Sequence, residues 1–91
     1  MINGDPNEFL DHIYSGQDTP YRFENEKYWF QGFTVSEGFH MEIFRCSPPY
    51  DTVWQYTGAS PLECLQAFES QPFFNGKCFW DVEKNIEWLD E

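Results

Sequence analysis

Three cysteines and two histidines are the residues of this chain whose types could support nucleophilic or metal chemistry. The cysteines are Cys46, Cys64 and Cys78, and the histidines are His12 and His40. A cysteine nucleophile needs a histidine base within hydrogen-bonding reach, and the spacing brings no such pair together. The same residues lack the closely spaced ligands that are typical of zinc sites. We therefore expect no catalytic residue, no metal and no cofactor.

Carboxylates are abundant, but the sequence singles out no pair of them for acid–base catalysis. Sixteen Asp and Glu oppose five Lys and Arg, which gives a formal net charge of −11 and a pI of about 4.3. The acids are spread along the chain, so we expect the folded surface to be negative. Such a surface attracts basic partners and repels nucleic acid and anionic membranes. A simpler interpretation is that the charge keeps an aromatic-rich protein in solution.

Length and composition indicate one compact domain over residues 1–91. Aromatic residues make up 21% of the chain, which argues against disorder. Three cysteines without paired spacing allow one disulfide and a free thiol, but they favour three reduced thiols and a cytoplasmic location. The opening sequence MINGDPNEFL lacks the features of a signal peptide. No apolar run approaches the roughly 20 residues that a membrane helix needs.

Two helix starts are marked by a capping residue followed by proline. Asp5 and Pro6 predict a first helix over 5–14. Ser60 and Pro61 predict a second helix that ends before Pro72.

The middle of the chain predicts four strands joined by connections too short for a crossover. We expect these strands to form an antiparallel meander with one helix before it and two after it, which is an α+β fold with the order αββββαα. The predicted strands are Tyr21–Glu24, Lys27–Val35, Phe39–Cys46 and Thr52–Thr57.

The apolar residues of the long second strand do not fall on one side of a regular strand. With Ser36-Glu37-Gly38 as the loop, Phe33 faces Met41, whereas a turn at Asn25-Glu26 puts Phe30 on the other side. A β-bulge at Gly32 would bring these rings together, and we predict it. Without the bulge, the second face of the sheet would carry an aromatic patch, which indicates a partner or a dimer.

A third helix is predicted over Cys78–Leu89, because apolar residues recur there at helical spacing. Its other side carries two tryptophans among acids, and Trp is a frequent hot-spot residue. The alternative is that both rings are structural, one packed under the Phe73-Phe74 loop and one on a sheet edge. The predicted partner-binding residues are Trp80, Glu83, Lys84, Glu87, Trp88 and Asp90.

The outer sheet face is a second candidate site, where we expect Trp29, Thr34, His40, Glu42 and Phe44. Exposed rings on a sheet stack bases in some RNA-binding proteins, but five cations are too few for many phosphate contacts. A small ligand or nucleotide held by stacking is the alternative function. Its predicted binding residues are Arg22, Trp29, His40, Phe44 and Arg45, although both arginines could instead stack on Trp29 structurally.

Two stretches carry a resemblance, GQDTPYRFENEKYWFQGF and, near the end, FNGKCFWDVEKNIEWLDE. With the short helix before them, they resemble small acidic proteins of Gram-positive bacteria and of their phages or mobile elements. By size and charge, the chain also looks like phage-encoded inhibitors that mimic nucleic acid, including some anti-CRISPR proteins.

The charge favours a non-catalytic protein that docks on a basic surface of a partner protein, competing there with nucleic acid. An immunity-type or structural partner protein is a further alternative, and the sequence leaves a homodimer open. We expect neither direct nucleic-acid binding nor a membrane partner.

Overall fold

The computed structural model describes residues 1–89 and has helices on one face of an antiparallel sheet. The sheet has five strands in the order β4-β3-β2-β1-β5. The α+β class and the antiparallel sheet are confirmed. The predicted number of four strands is wrong, because the sheet has a fifth strand. In chain order the elements are α1 (Pro6–Ser15), β1 (Thr19–Phe23), β2 (Glu26–Val35), β3 (Gly38–Arg45), β4 (Thr52–Gly58), α2 (Pro61–Ser70), α3 (Phe79–Val82), a 3-10 turn (Glu83–Asn85) and β5 (Glu87–Trp88).

Both predicted helix starts are present. Asp5 Oδ1 accepts a hydrogen bond from the backbone N–H of Asn7 at 2.8 Å, and Ser60 Oγ accepts one from Glu63 N–H at 3.3 Å. These bonds satisfy N–H groups that have no partner inside the helix. The first helix ends at Gly16, whose φ of 76° is left-handed, so a residue without a side chain suits this position.

The predicted helix over Cys78–Leu89 is wrong beyond Val82. After the 3-10 turn the chain straightens into β5, and the backbone N–H of Leu89 donates to Pro20 O at 3.1 Å. Without β5, β1 would leave its backbone groups unpaired at the edge of the sheet. Phe79, Val82 and Ile86 are buried all the same, so the helical spacing predicted burial but not secondary structure.

The β2–β3 hairpin has a shorter loop than predicted. Val35 lies opposite Gly38, which leaves only Ser36 and Glu37 in the loop. The predicted three-residue loop shifts the register by one residue, and the predicted partner of Phe33 is therefore wrong.

The predicted bulge at Gly32 is also wrong, because β2 pairs regularly with β3 along its length. The register shifts instead between Ile43 and Phe44, in the β3–β4 ladder. As a result Phe33 lies on the outer face and is 44% exposed, and Thr34 points to the helix-facing side. The outer face thus has the aromatic residues expected of a sheet without the bulge.

The β1–β2 turn lies one residue earlier than predicted. Glu24 and Asn25 form it with φ values of 52° and 65°, so that Phe23 lies opposite Glu26. A two-residue loop with both φ values positive matches the right-handed twist of the strands it joins.

An aromatic cluster fills the space between the sheet and the helices. Phe68 of α2 is fully buried at its centre. Its ring centroid lies 5.5–6.4 Å from the centroids of the rings of Phe9, Phe30, Trp54, Phe73, Phe74 and Phe79.

Tyr21 of β1 belongs to the same core, and the fold opposes its ionisation. Its side chain is 2% exposed, and its ring stacks on that of Tyr28 at 5.3 Å. Burial raises the pKa of Tyr21 well above its usual value, and Tyr28 and Cys46 raise it further because their charged forms are also negative.

This buried phenol should make the fold sensitive to alkaline pH. Because the pKa of Tyr21 is higher in the folded than in the unfolded chain, its contribution to stability is complete below about pH 10 and is lost as the pH rises through the folded value. The free energy of unfolding should fall there by up to about 1.4 kcal/mol per pH unit. Urea unfolding at about pH 8 and about pH 11 should show a smaller loss for Tyr21→Phe than for the wild type.

Tyr50→Phe is the matched control, because the Tyr50 side chain is 64% exposed. It should lose as much stability at high pH as the wild type. An equal alkaline loss in Tyr21→Phe would show that the burial of Tyr21 does not govern this sensitivity.

Candidate functional site

The helices and their caps form an acidic layer on one side of the sheet, which we call the helical layer. It carries seven carboxylates against one lysine, Lys84, which leaves a net charge of −6. No Lys or Arg occurs in α1 or α2. The carboxylates are those of Asp5, Glu8, Asp11, Glu63, Glu69, Asp81 and Glu83.

Three large apolar side chains are exposed within the helical layer. Trp80 of α3 is 49% exposed, Tyr14 of α1 is 45% exposed and Leu62 of α2 is 53% exposed. The indole Nε1 of Trp80 donates to Glu69 Oε1 at 2.9 Å. That bond orients the ring beside a carboxylate, which combines an apolar anchor with negative charge on the same surface.

The outer face of the sheet has a different character. Trp29 lies opposite Phe44, and the ring of Phe33 contacts that of His40 at 5.2 Å. Its charges balance, because two cations face two carboxylates there by strand alternation: Arg22, Lys27, Glu42 and Glu87. The negative charge of the folded protein is therefore concentrated away from this face.

The predicted partner-binding residues do not share one helix face. Trp88 lies in β5, where its ring contacts those of Phe9 at 5.5 Å and His12 at 4.9 Å, so it packs inward at the sheet edge. Trp80 is exposed beside Glu69 in the helical layer. The structure thus separates the two tryptophans.

The charged members of the same predicted set are also separated. Glu83 Oε2 lies 2.9 Å from the backbone nitrogen of Met1, and Glu87 Oε1 lies 2.9 Å from Arg22 Nη1. Lys84 is exposed. Asp90 lies outside the described residues.

The predicted ligand-binding residues also fall on two sides of the sheet. Trp29, His40 and Phe44 lie on the outer face, and Arg22 lies there paired with a carboxylate. Arg45 points to the helix-facing side, where its Nε lies 3.2 Å from Asp51 Oδ1 as an ion pair rather than an aligned hydrogen bond. These residues therefore line an open surface and do not enclose an aromatic pocket.

A polar cleft of about 620 Å³ lies beside the β1–β2 turn. Its two cations are matched by two carboxylates, so its charge favours neither an anionic nor a cationic ligand. The charged lining residues are Arg22, Glu24, Lys77 and Glu87.

The residues considered for nucleophilic chemistry lie apart. All three cysteines are free thiols. Burial raises the pKa of Cys64, and its Sγ donates to Phe39 O at 3.2 Å. His40 Nδ1 lies 2.7 Å from Thr57 Oγ1, while His12 contacts the ring of Trp88. Within residues 1–89, no cluster of His, Cys, Asp and Glu could hold a metal ion, and no helix is long and apolar enough to cross a bilayer.

The acidic surface on α1 and α2 was missed at the level of sequence. The signal was present, because both helix starts were recognisable and neither segment contains Lys or Arg. The helical pattern of the last segment, which placed two tryptophans together, was the stronger signal in the sequence.

No protein-family model, no curated protein and no solved structure matches the chain.

Proposed function

We propose that this chain is a non-catalytic binding protein whose helical layer docks on a basic surface of a partner protein. The observation that carries the proposal is the separation of charge, with a net −6 on the helical layer and a balanced outer sheet face. Carboxylates within about a Debye length of one another reinforce a common field, which speeds the approach of a basic partner.

The exposed Trp80 supports this choice of surface. A half-exposed indole held by Glu69 can bury its ring in a pocket of the partner while the acids around it pair with Lys or Arg. A large ring at the centre and charges around it are the usual arrangement of a specific protein interface.

A basic surface of this kind ordinarily binds phosphates, so the chain would compete there with nucleic acid. We propose that it acts as an inhibitor that mimics nucleic acid, such as those of phages or mobile elements. We assign the interaction to the cytoplasm, where the three free thiols would stay reduced.

Charge reversal on α1 is the direct test. Glu8 and Asp11 are exposed, and no hydrogen bond or ion pair engages their side chains within residues 1–89. The double variant Glu8→Lys/Asp11→Lys should therefore fold and should bind a basic partner at least about tenfold more weakly, because charge contacts steer association and fix register. Asp18→Lys/Glu24→Lys makes the same change of net charge outside the helical layer and should bind almost as well as the wild type.

The measurement is capture from a bacterial lysate on immobilised wild type and on both variants, at low and high salt, with identification by mass spectrometry. A basic nucleic-acid-binding protein should be retained at low salt and released by high salt or by added DNA. Retention that ignores salt, or equal loss in both double variants, would remove the helical layer as the docking surface.

A further inference from the structure

We propose that the free edge of β4 is a second binding site, which takes an extended, basic segment of a protein as an added antiparallel strand. The strand order leaves β4 at one edge of the sheet. The opposite edge, β5, has only two residues. This site shares Glu63 with the helical layer but otherwise lies outside it, and it does not depend on the docking of that layer.

The edge lacks most of the features that protect edge strands. β4 runs over Thr52–Gly58 as TVWQYTG, without a charge or a proline, in a chain of which 23% is charged. Exposed edges are usually guarded by charged residues, proline, shortness or a bulge. The register shift opposite Thr52 guards one end, which leaves Trp54–Gly58 as a regular, unguarded stretch.

The backbone of this stretch offers unpaired hydrogen-bonding groups. The end of β3 shows which residues face β4. The N–H of Arg45 points towards β4 and donates to Asp51 O at 3.0 Å, whereas that of Cys46 points towards β2 and donates to Lys27 O at 3.0 Å. Since the backbone groups alternate in direction along an antiparallel strand, Trp54, Tyr56 and Gly58 bond to β3. The N–H and C=O of Gln55 and Thr57 then point away from the sheet, and no residue within 1–89 bonds to them.

The strand is held rigidly from the helix side. Trp54 Nε1 donates to Gln71 Oε1 at 2.8 Å, and the Trp54 ring stacks on that of Phe73 at 4.8 Å. A template fixed before binding loses little entropy when a second strand pairs with it. Main-chain bonds supply the affinity in this mode of recognition, and flanking side chains supply the selectivity.

The surrounding charges select a basic segment. Asp51, before the strand, is already paired with Arg45, but Glu42 lies opposite Gln55 on β3, and the carboxylate of Glu63 accepts from Ala59 N–H just after the strand. Glu37 lies at that same end, since the hairpin turn adjoins the end of β4. Lysine or arginine side chains on an added strand would meet these carboxylates.

The same carboxylates disfavour the pairing of this edge with a second copy of the chain. An antiparallel pairing of two β4 strands would bring together two edges that each have Glu37, Glu42 and Glu63 beside them, on chains that each have a net charge of −11.

Titration of the ¹⁵N-labelled full chain with two peptides tests the proposal. One peptide alternates Lys and Val, the other alternates Glu and Val, and both have blocked ends and the length of β4. The Lys–Val peptide should shift the amide resonances of β4 and slow the hydrogen exchange of Gln55 and Thr57. The Glu–Val peptide should bind at least about tenfold more weakly, because its carboxylates would face the carboxylates around β4.

Substitutions of Gln55 test whether the charge at this position controls peptide affinity. A purely structural role of Gln55 would not give opposite effects for lysine and glutamate. Gln55→Lys should weaken binding of the Lys–Val peptide several-fold, and Gln55→Glu should strengthen it. Gln55→Pro should abolish binding, since it removes an outward N–H and leaves the β3–β4 ladder intact.

Four results would overturn the proposal. Equal binding of both peptides would remove the selection by charge, and no binding of either at millimolar concentration would remove the site. Shifts confined to α1 and α2 would reject the β4 edge while leaving the function of the helical layer in place. A concentration-dependent dimer that Gln55→Pro abolishes would assign the edge to a second copy instead.

Discussion

Replacement of Phe68 by alanine is expected to lower the free energy of unfolding by about 3–5 kcal/mol. Phe68 is fully buried, and six other rings lie within 6.4 Å of its centroid. These rings come from α1, β2, β4, α3 and the segment after α2, so no single element can move to fill the space. The loss therefore combines the missing apolar burial with a cavity that the structure cannot close.

The effect is large because the whole protein is small. A chain of 91 residues has a total stability of about 5–14 kcal/mol, so Phe68→Ala removes a major share. Thermal unfolding followed by circular dichroism should show a Tm lower by at least about 12 °C, and urea unfolding should give the free energy directly.

Phe33→Ala is the matched control, because it deletes the same ring on the outer face of the sheet, where Phe33 is 44% exposed. We expect a loss below about 1 kcal/mol. If Phe33→Ala cost as much as Phe68→Ala, the outer face would be buried in solution. A dependence of that loss on protein concentration would then show that a second copy covers it.

The contrast between helix starts and helix length shows which features a sequence can predict. The caps at Asp5 and Ser60 could be predicted because capping involves residues within one turn of each other. The end of the last helix could not, because it depends on a distant strand. The chain leaves the helix after Val82 and pairs with β1, which follows from the unpaired edge of that strand and not from the local pattern.

The features of the candidate site also divide into those that the sequence could predict and those that required the tertiary structure. Total charge and the acids of α1 and α2 are properties of the sequence, so a negative surface could be predicted. The grouping of Trp80 with Trp88 assumed a continuous helix, and the grouping of Arg45 with Trp29 assumed that they share a sheet face. Both groupings required tertiary structure, because a strand that replaces a helix, or a shift of one residue, redirects every side chain that follows.

Gly38→Ala is expected to cost at least about 2 kcal/mol of stability. Gly38 has a φ of 142°, in a region that residues with a side chain rarely adopt. A Cβ at this position would lie 2.2 Å from Gly58 O and 2.9 Å from Ala59 Cα. Both are backbone atoms, so the clash can be relieved only by a backbone shift that separates the hairpin from the end of β4.

The position also explains the register of the hairpin. Because Gly38 is paired with Val35 and carries the positive φ itself, the loop closes with two residues instead of three. Alanine would have to leave that conformation, and the hairpin would then lengthen its loop at the expense of the last pairs of β2 and β3.

Gly76→Ala separates the backbone strain from the clash. Gly76 also has a positive φ, 82°, but no atom lies within 4 Å of a Cβ placed there, so alanine should cost only about 1 kcal/mol. Urea unfolding of both variants should therefore differ by at least about 1 kcal/mol, and hydrogen exchange should be faster at Gly58 only in Gly38→Ala. Equal losses without faster exchange would mean that Gly38 is required for its φ alone and that the end of β4 does not depend on the close approach of the hairpin.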